Sequence, residues 1–310
     1  MRHVASMPGG LHNGRCALSS DHAVITFSKT TDVAAFSAAV RGFLLADEVD
    51  NNLLLGILAD VGDPSRLDAR NPVLAYVEAD GMIQAVAIGV PPRTVVVSAA
   101  HDLMAIEALA RGLAVRQVPL PGVFGPAQES RLFAAAWRAY THQDIRPAIG
   151  MELAEASQVH PPSPPPPGRI RRAQPGDTAL VTEWLSAFNQ EAEAGDPDPV
   201  AARRAAEELV AQERRSLWVW EDGDPPRTVS MAATVSATGQ GARIFAVYTP
   251  PSHRRHGYAS ACVATVSQQV LDAGRRYVAL FYDRSNLTAA HIYHELGFTR
   301  LASFDDYRFS

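Results

Sequence analysis

Six prolines among residues 159–168, V-H-P-P-S-P-P-P-P-G, constrain this chain more than any other stretch. Proline fixes φ and lacks a backbone N–H, so such a run cannot lie inside a helix or a central strand. It reads as a stiff, extended connection that divides 310 residues into two halves, each long enough to bury a core. A ligand for a proline-binding recognition domain is the other reading of such a run. The boundary reading fits better, because the sequences on its two sides repeat one order of elements.

Before the prolines, Val33, Phe36, Val40 and Leu44 recur at helical spacing, and residues 53–61 suggest a second helix. Two strand-like runs, 73–78 and 82–88, flank Asp80-Gly81, a hairpin signal. A strand over 94–98, a helix over 101–113 and another over 128–140 complete this half. After the prolines come a short strand (169–173), a helix capped by Asp177, a second helix (197–213) and a hairpin (217–221 and 228–235). A strand (244–248), a helix ended by Gly274, a buried strand (277–282), a short helix (286–296) and a last strand (301–309) follow. The repeated order is helix, helix, hairpin, strand, helix. The expected division is a loose extension (1–22), a first domain (23–158), the linker (159–168) and a second domain (169–310).

A net charge of −5 gives no reason to expect nucleic-acid binding. No run of about 18 apolar residues exists, so no membrane span is expected. Two cysteines, Cys16 and Cys262, make no disulfide framework, which suits a reducing cytoplasm. His253 and His256, and His291 and His294, are spaced three apart, but no cysteine or carboxylate completes a metal ligand set. Solvated histidines are expected there, and no metal.

The two halves differ at one place. Residues 243–259, R-I-F-A-V-Y-T-P-P-S-H-R-R-H-G-Y-A, run from an apolar strand through a double proline and a basic loop to a helix start. Free N–H groups of a helix's first turn and the positive end of its dipole favour an anion there. Gly257 lets a backbone approach closely, and Arg254 and Arg255 add charge. In the first half only Ala99 and Ala100 separate strand from helix, with neither glycine nor arginine. Only the second half is expected to bind a diphosphate.

The string Arg254-x-x-Gly257-x-Ala259 resembles the GNAT superfamily signature: Gln or Arg, two residues, Gly, one residue, Gly or Ala. The segment N-L-T-A-A-H-I-Y-H-E-L-G-F from Asn286 to Phe298 is similar to that family's closing motif. Together with the order of elements, the resemblance covers about 140 residues, and the first half resembles a degenerate copy, as in tandem members. It implies two α/β (α+β) domains in tandem, each a mixed, mostly antiparallel sheet flanked by helices. It also implies an acetyl-CoA-dependent N-acetyltransferase acting on a small-molecule or peptide amine. Coenzyme contacts are then expected from Val247, Tyr248, Thr249, Arg254, Arg255, His256, Gly257, Tyr258, Ala259, Ser260 and Asn286. The strand carrying Val247–Thr249 splays from its neighbour in the family, and the Val247 N–H is expected to stabilise the tetrahedral oxyanion. Asn286 is also a plain helix cap.

Tyr293 matches the family's tyrosine that protonates the departing thiolate, although Ala289, Ile292, Tyr293 and Leu296 also form an ordinary core face. A general base is harder to name, because the strand 244–249 holds no carboxylate. Asp283, Glu191, Glu193 and Tyr248 are the candidates. A coenzyme-binding or sensing protein without catalysis is the rival reading. Trp218 and Trp220 either wall a pocket or pack a sheet covered on both faces.

Overall fold

The computed structural model describes residues 17–20, 22–63, 71–191, 198–211, 215–236 and 238–310. The first half runs β1 (Ala17–Ser20), β2 (His22–Thr30), α1 (Val33–Ala46), α2 (Asn52–Val61), β3 (Val73–Ala79) and β4 (Met82–Gly89). It continues with β5 (Val95–Val97), α3 (Met104–Val115), β6 (Gly122–Pro126), α4 (Ala127–Thr141) and β7 (Ile145–Ala156). Past the prolines the order returns as β8 (Arg169–Arg172), α5 (Thr178–Glu191), α6 (Pro199–Ala211), β9 (Arg215–Asp222) and β10 (Arg227–Val235). Last come β11 (Gly241–Tyr248), α7 (Tyr258–Asp272), β12 (Tyr277–Asp283), α8 (Leu287–Glu295) and β13 (Thr299–Phe309).

Local chemistry sets these elements. Asp32 accepts the Ala35 N–H to start α1, whose Phe36, Val40 and Leu44 are buried. Gln174 and Asp177 form a reciprocal capping box in one turn of 3-10 helix that leads into α5. Asp80 and Gly81 have φ of 51° and 77°, the left-handed pair of a two-residue hairpin turn between β3 and β4.

All strands join one 13-stranded sheet in the order β1-β2-β3-β4-β5-β6-β13-β7-β12-β11-β10-β9-β8. A mixed, mostly antiparallel sheet was expected in each half, and in the middle of this order the two run on into one another. β13, from the second half, lies antiparallel between β6 and β7 of the first. β7, from the first half, lies antiparallel between β13 and β12 of the second. Each half lends its last strand to the other, which removes the two open edges that separate sheets would present. Glu152 on β7 is buried and accepts from Arg284 and Arg300, both at 2.8 Å, and from Ser303 at 2.9 Å. These contacts pin β7 to β13 and to the end of β12. β1 falls within the stretch expected as a loose extension, whose residues 1–16 lie outside the described ones.

Side-chain alternation puts two helical layers on the sheet. On one face, α1 and α2 cover Leu74, Val86 and Ile88, and α5 and α6 cover Leu217, Val219 and Met231. Phe124 links the α1–α2 core to a central patch of Leu153, Ala279 and Phe304 on the same face. On the other face, α3 and α4 cover Val73, Ala75 and Val77, and α7 covers Ile244, Val278 and Leu280. Trp218 and Trp220 point to the α7 face, where Trp220 is buried and donates to the Pro167 carbonyl at 2.9 Å. They pack a sheet covered on both sides.

Candidate active site

β11 and β12 run parallel and pair only from Gly241 to Ile244, against Tyr277 to Leu280. Both strands continue, to Tyr248 and Asp283, without further pairing to each other. β12 stays paired with β7 along its other edge out to Asp283, so β11 is the strand that peels away. On its other side β11 carries a bulge. Phe245 faces Ala233 but Tyr248 faces Met231, so one extra residue stands in β11, and Ala246 takes φ of 49°. A non-glycine residue in the left-handed region stores about 1–3 kcal/mol of strain, a cost that clusters at functional sites. The bulge re-aims the backbone just before Val247. Beyond it, the Ser230 hydroxyl meets Thr249 Oγ1 at 2.9 Å and the Tyr248 carbonyl at 3.3 Å, fixing the strand end.

At that end the chain turns into α7. Arg255 and Gly257 have φ of 66° and 79°, and Gly257 is the N-cap residue with no side chain capping the helix. Backbone N–H groups of the first turn are therefore left for an external acceptor, at the positive end of the helix. Arg255 and His256 are exposed here, while the Tyr258 side chain turns inward and donates to Asp222. Ala259 and Ser260 lie half-buried in the first turn. His256 stacks on Tyr258 with ring centres 5.5 Å apart, and its Nδ1 lies 2.9 Å from the Arg254 carbonyl oxygen. No cluster that could hold a metal ion occurs among the described residues.

The two arginines have different surroundings. Arg254 donates to the Thr249 carbonyl at 2.9 Å and to Glu191 at 2.5 Å, and lies 5.8 Å from the Tyr248 ring centre. The Tyr248 hydroxyl donates to the same carboxylate at 3.0 Å. Burial, and then Glu191, hold that phenol above its ordinary value. Arg254 thus braces the strand end, while Arg255, just before the start of α7, has no such tie among the described residues. Glu191 meets the strand end through these bonds; Glu193 lies outside the described residues.

Tyr293 is half-buried on α8, with its ring 5.7 Å from that of Tyr282 and 5.9 Å from that of Phe298. Burial pushes its phenol up to about 12, so it stays protonated at any physiological pH. Asn286 caps α8 by accepting the Ala289 N–H at 2.9 Å. Asp283 Oδ1 accepts from the backbone N–H and the hydroxyl of Ser285, both at 2.8 Å, so this carboxylate holds the turn before α8. Cys262 is buried in α7, and burial pushes its thiol up to about 12.

Two features of the site were not legible in the sequence. The Ala246 bulge has no residue signature. The proline run, expected as a stiff, extended linker, also lies against the second half: the His160 N–H donates to the Leu296 carbonyl, and Pro166 lies 3.7 Å from where a side chain on Gly257 would begin.

Comparison with known proteins bears on the fold. Residues 224–308 match the family described as FR47-like protein. No curated protein sequence matches the chain. Among solved structures, a GCN5-related N-acetyltransferase from Sphaerobacter thermophilus is 19% identical, with a TM-score of 0.60 over 91% of this chain and 95% of that one. A tandem GNAT protein from the clavulanic acid biosynthesis pathway is 13% identical, with a TM-score of 0.56 over 92% and 98%. A GNAT-family acetyltransferase from Colwellia psychrerythraea is 8% identical, with a TM-score of 0.55 over 92% and 99%. The chain thus has the fold of tandem GNAT proteins, and residues 224–308 of its second half match the FR47-like family.

Proposed function

We propose that the chain is an acetyl-CoA-dependent N-acetyltransferase that moves an acetyl group to an amine by direct attack within a ternary complex. The observation that carries this reading is the meeting of the peeled, bulged end of β11 with the uncapped start of α7. A thioester arm needs the first feature and a diphosphate the second. The residues present fit that coenzyme: the N–H groups from Arg255 to Ser260 would hold the diphosphate, with Arg255 as the cation beside them. Free backbone groups of β11 would align the pantetheine, with Asn286 flanking it. Bound acetyl-CoA supplies the activated acetyl group.

The remaining chemistry belongs to the chain. The Val247 N–H donates to the carbonyl oxygen as charge develops on it. Glu191, at the same strand end, takes the proton of the attacking amine, directly or through a water. A carbon–nitrogen bond forms as the carbon–sulfur bond breaks, and the Tyr293 hydroxyl gives its proton to the departing sulfur. Asp283 is left to its turn.

Thiol release from acetyl-CoA against a panel of amines tests the proposal. Tyr293→Phe should slow turnover by about 10²–10⁴-fold with coenzyme affinity, read by calorimetry, unchanged. Its pH–rate profile should drop without moving its limbs, because the phenol titrates only near 12. Tight acetyl-CoA binding with no amine turned over would sink the transferase reading and leave a coenzyme sensor.

A further inference from the structure

On the face that carries α2, α5 and α6, the boundary between the halves holds a cation without an anion. Arg243 on β11 has no hydrogen-bond or ion-pair partner among the described residues, and its Nε is shielded from solvent. Its guanidinium carbon lies 5.6 Å from the Phe245 ring centre, and that of Arg215, at the start of β9, lies 5.7 Å from the same ring. Arg215 is ion-paired with Asp60 of α2, and its Nε too is shielded and without a partner. Two guanidiniums thus flank one ring, and of the two only Arg215 is ion-paired. Burial first, and Arg215 second, push the Arg243 guanidinium down to about 10, and the pull of Asp60 offsets only part of this.

A half-buried guanidinium with no ion pair among the described residues is costly, and taking its charge out of water is offset only when an anion joins it. The place is reachable from the surface, since Arg243 and Phe245 are only half-buried. At the far end of the same strand stands the carboxylate of Glu191, tied to Tyr248 and Arg254. That face of β11 therefore has an anionic end, at Glu191, and a cationic end, at Arg243.

We propose that Arg243 recognises a carboxylate of the acceptor, so that the acceptor is an amino-carboxylate whose amine lies toward Glu191 and whose carboxylate lies over Phe245. This deepens the transferase reading and rests on it for the amine, but not for the anion. Arg243 faces Val235 and Tyr248 faces Met231, so four strand steps of about 3.3 Å put Tyr248 roughly 13 Å from Arg243. That span suits an ω-amino acid or a dipeptide better than a single α-amino acid.

Calorimetry on the coenzyme A-saturated protein tests the inference with hexanoate, 6-aminohexanoate and hexylamine as probes. Wild type should bind both carboxylates, and Arg243→Met should weaken both by at least ten-fold while leaving hexylamine and coenzyme A unchanged. Arg243→Lys, which keeps the charge but not the planar fork, should fall between the two and carries the test if Arg243→Met fails to fold. Carboxylates that bind no better than hexylamine, or that bind the Arg243 variants as tightly as wild type, would overturn it. Carboxylate binding through Arg243 with no amine turned over would sink the transferase and leave the anion site standing.

Discussion

Strands β5 and β11 hold the same place in their halves. Each runs parallel to the next strand of its half and leads into a helix on the same face of the sheet, yet only β11 peels away. In the first half, β6 stays against β5: a side chain on Gly125 would begin 2.4 Å from Val97 Cγ2 and 2.9 Å from its carbonyl oxygen. The loop past β5 is tied back to β4, with Ser98 exchanging bonds with Val86 and the His101 N–H donating to the Gln84 carbonyl. Its donors are spent on carboxylates, since Asp102 accepts the Met104 N–H at 2.9 Å and Glu129 accepts the Ala100 N–H at 3.3 Å. In the second half no side chain caps α7, and Arg255 stands beside it. Two copies of one fold thus differ in whether an anion's place is already filled by the chain itself.

The sharpest way to break that comparison is to exchange its terms. Gly257→Glu puts a carboxylate into the cradle at φ of 79°, and coenzyme affinity read by calorimetry should fall at least about 100-fold through lost charge-assisted hydrogen bonds. The reverse change, Asp102→Asn with Glu129→Gln, should leave one coenzyme bound per chain, because β5 and β6 remain closed. A stoichiometry of two would show that the carboxylates alone silence the first half. A middle-sized effect tests whether the halves are separable at all. Glu152→Gln strips Arg284 and Arg300 of their shared partner and should cost about 2–3 kcal/mol in denaturant unfolding, with one transition for the whole chain. Two separated transitions would mean the exchanged strands do not couple the halves.

The smallest effect compares helix starts. Asp177 accepts from the Arg171 guanidinium at 2.6 and 2.9 Å, which, with the Gln174 N–H, holds its carboxyl below the ordinary value. Asp177→Asn should cost about 1 kcal/mol at neutral pH. A depressed carboxylate contributes above its unfolded value, about 3.9, and that contribution is lost as pH falls through the folded value. The variant and wild type should therefore converge in acid. Asp32, at the matching place in the first half, accepts one N–H and meets no arginine among the described residues, so Asp32→Asn should cost less.

Much of this was readable from residues. The run from Arg243 to Ala259 and the segment from Asn286 to Phe298 each carry their local structure in turn, cap and period, and both lie where expected. β6 and β7 were invisible for a physical reason. β6 reads G-V-F-G-P, which resembles a turn, but its glycines serve close approach: a side chain on Gly122 would begin 2.2 Å from the Tyr307 carbonyl oxygen. β7 contains Pro147 and Gly150 and no clean alternation, because its partners β12 and β13 come from beyond the prolines. Pairing across such a distance leaves no mark in a local window. The Ala246 bulge and the lack of an ion pair for Arg243 among the described residues are likewise properties of what surrounds a residue.

The exchanged strands also bear on the order of events as a ribosome delivers this chain. β6 ends at Pro126, and the strand that seals its edge begins only at Thr299. Until then a nascent first half exposes an unpaired edge and lacks the partner that would let it finish, so it cannot mature as a unit ahead of the second. The chain must close both halves in one late step. Removing residues 299–309 should therefore leave neither half folded, although the deletion lies entirely outside the first.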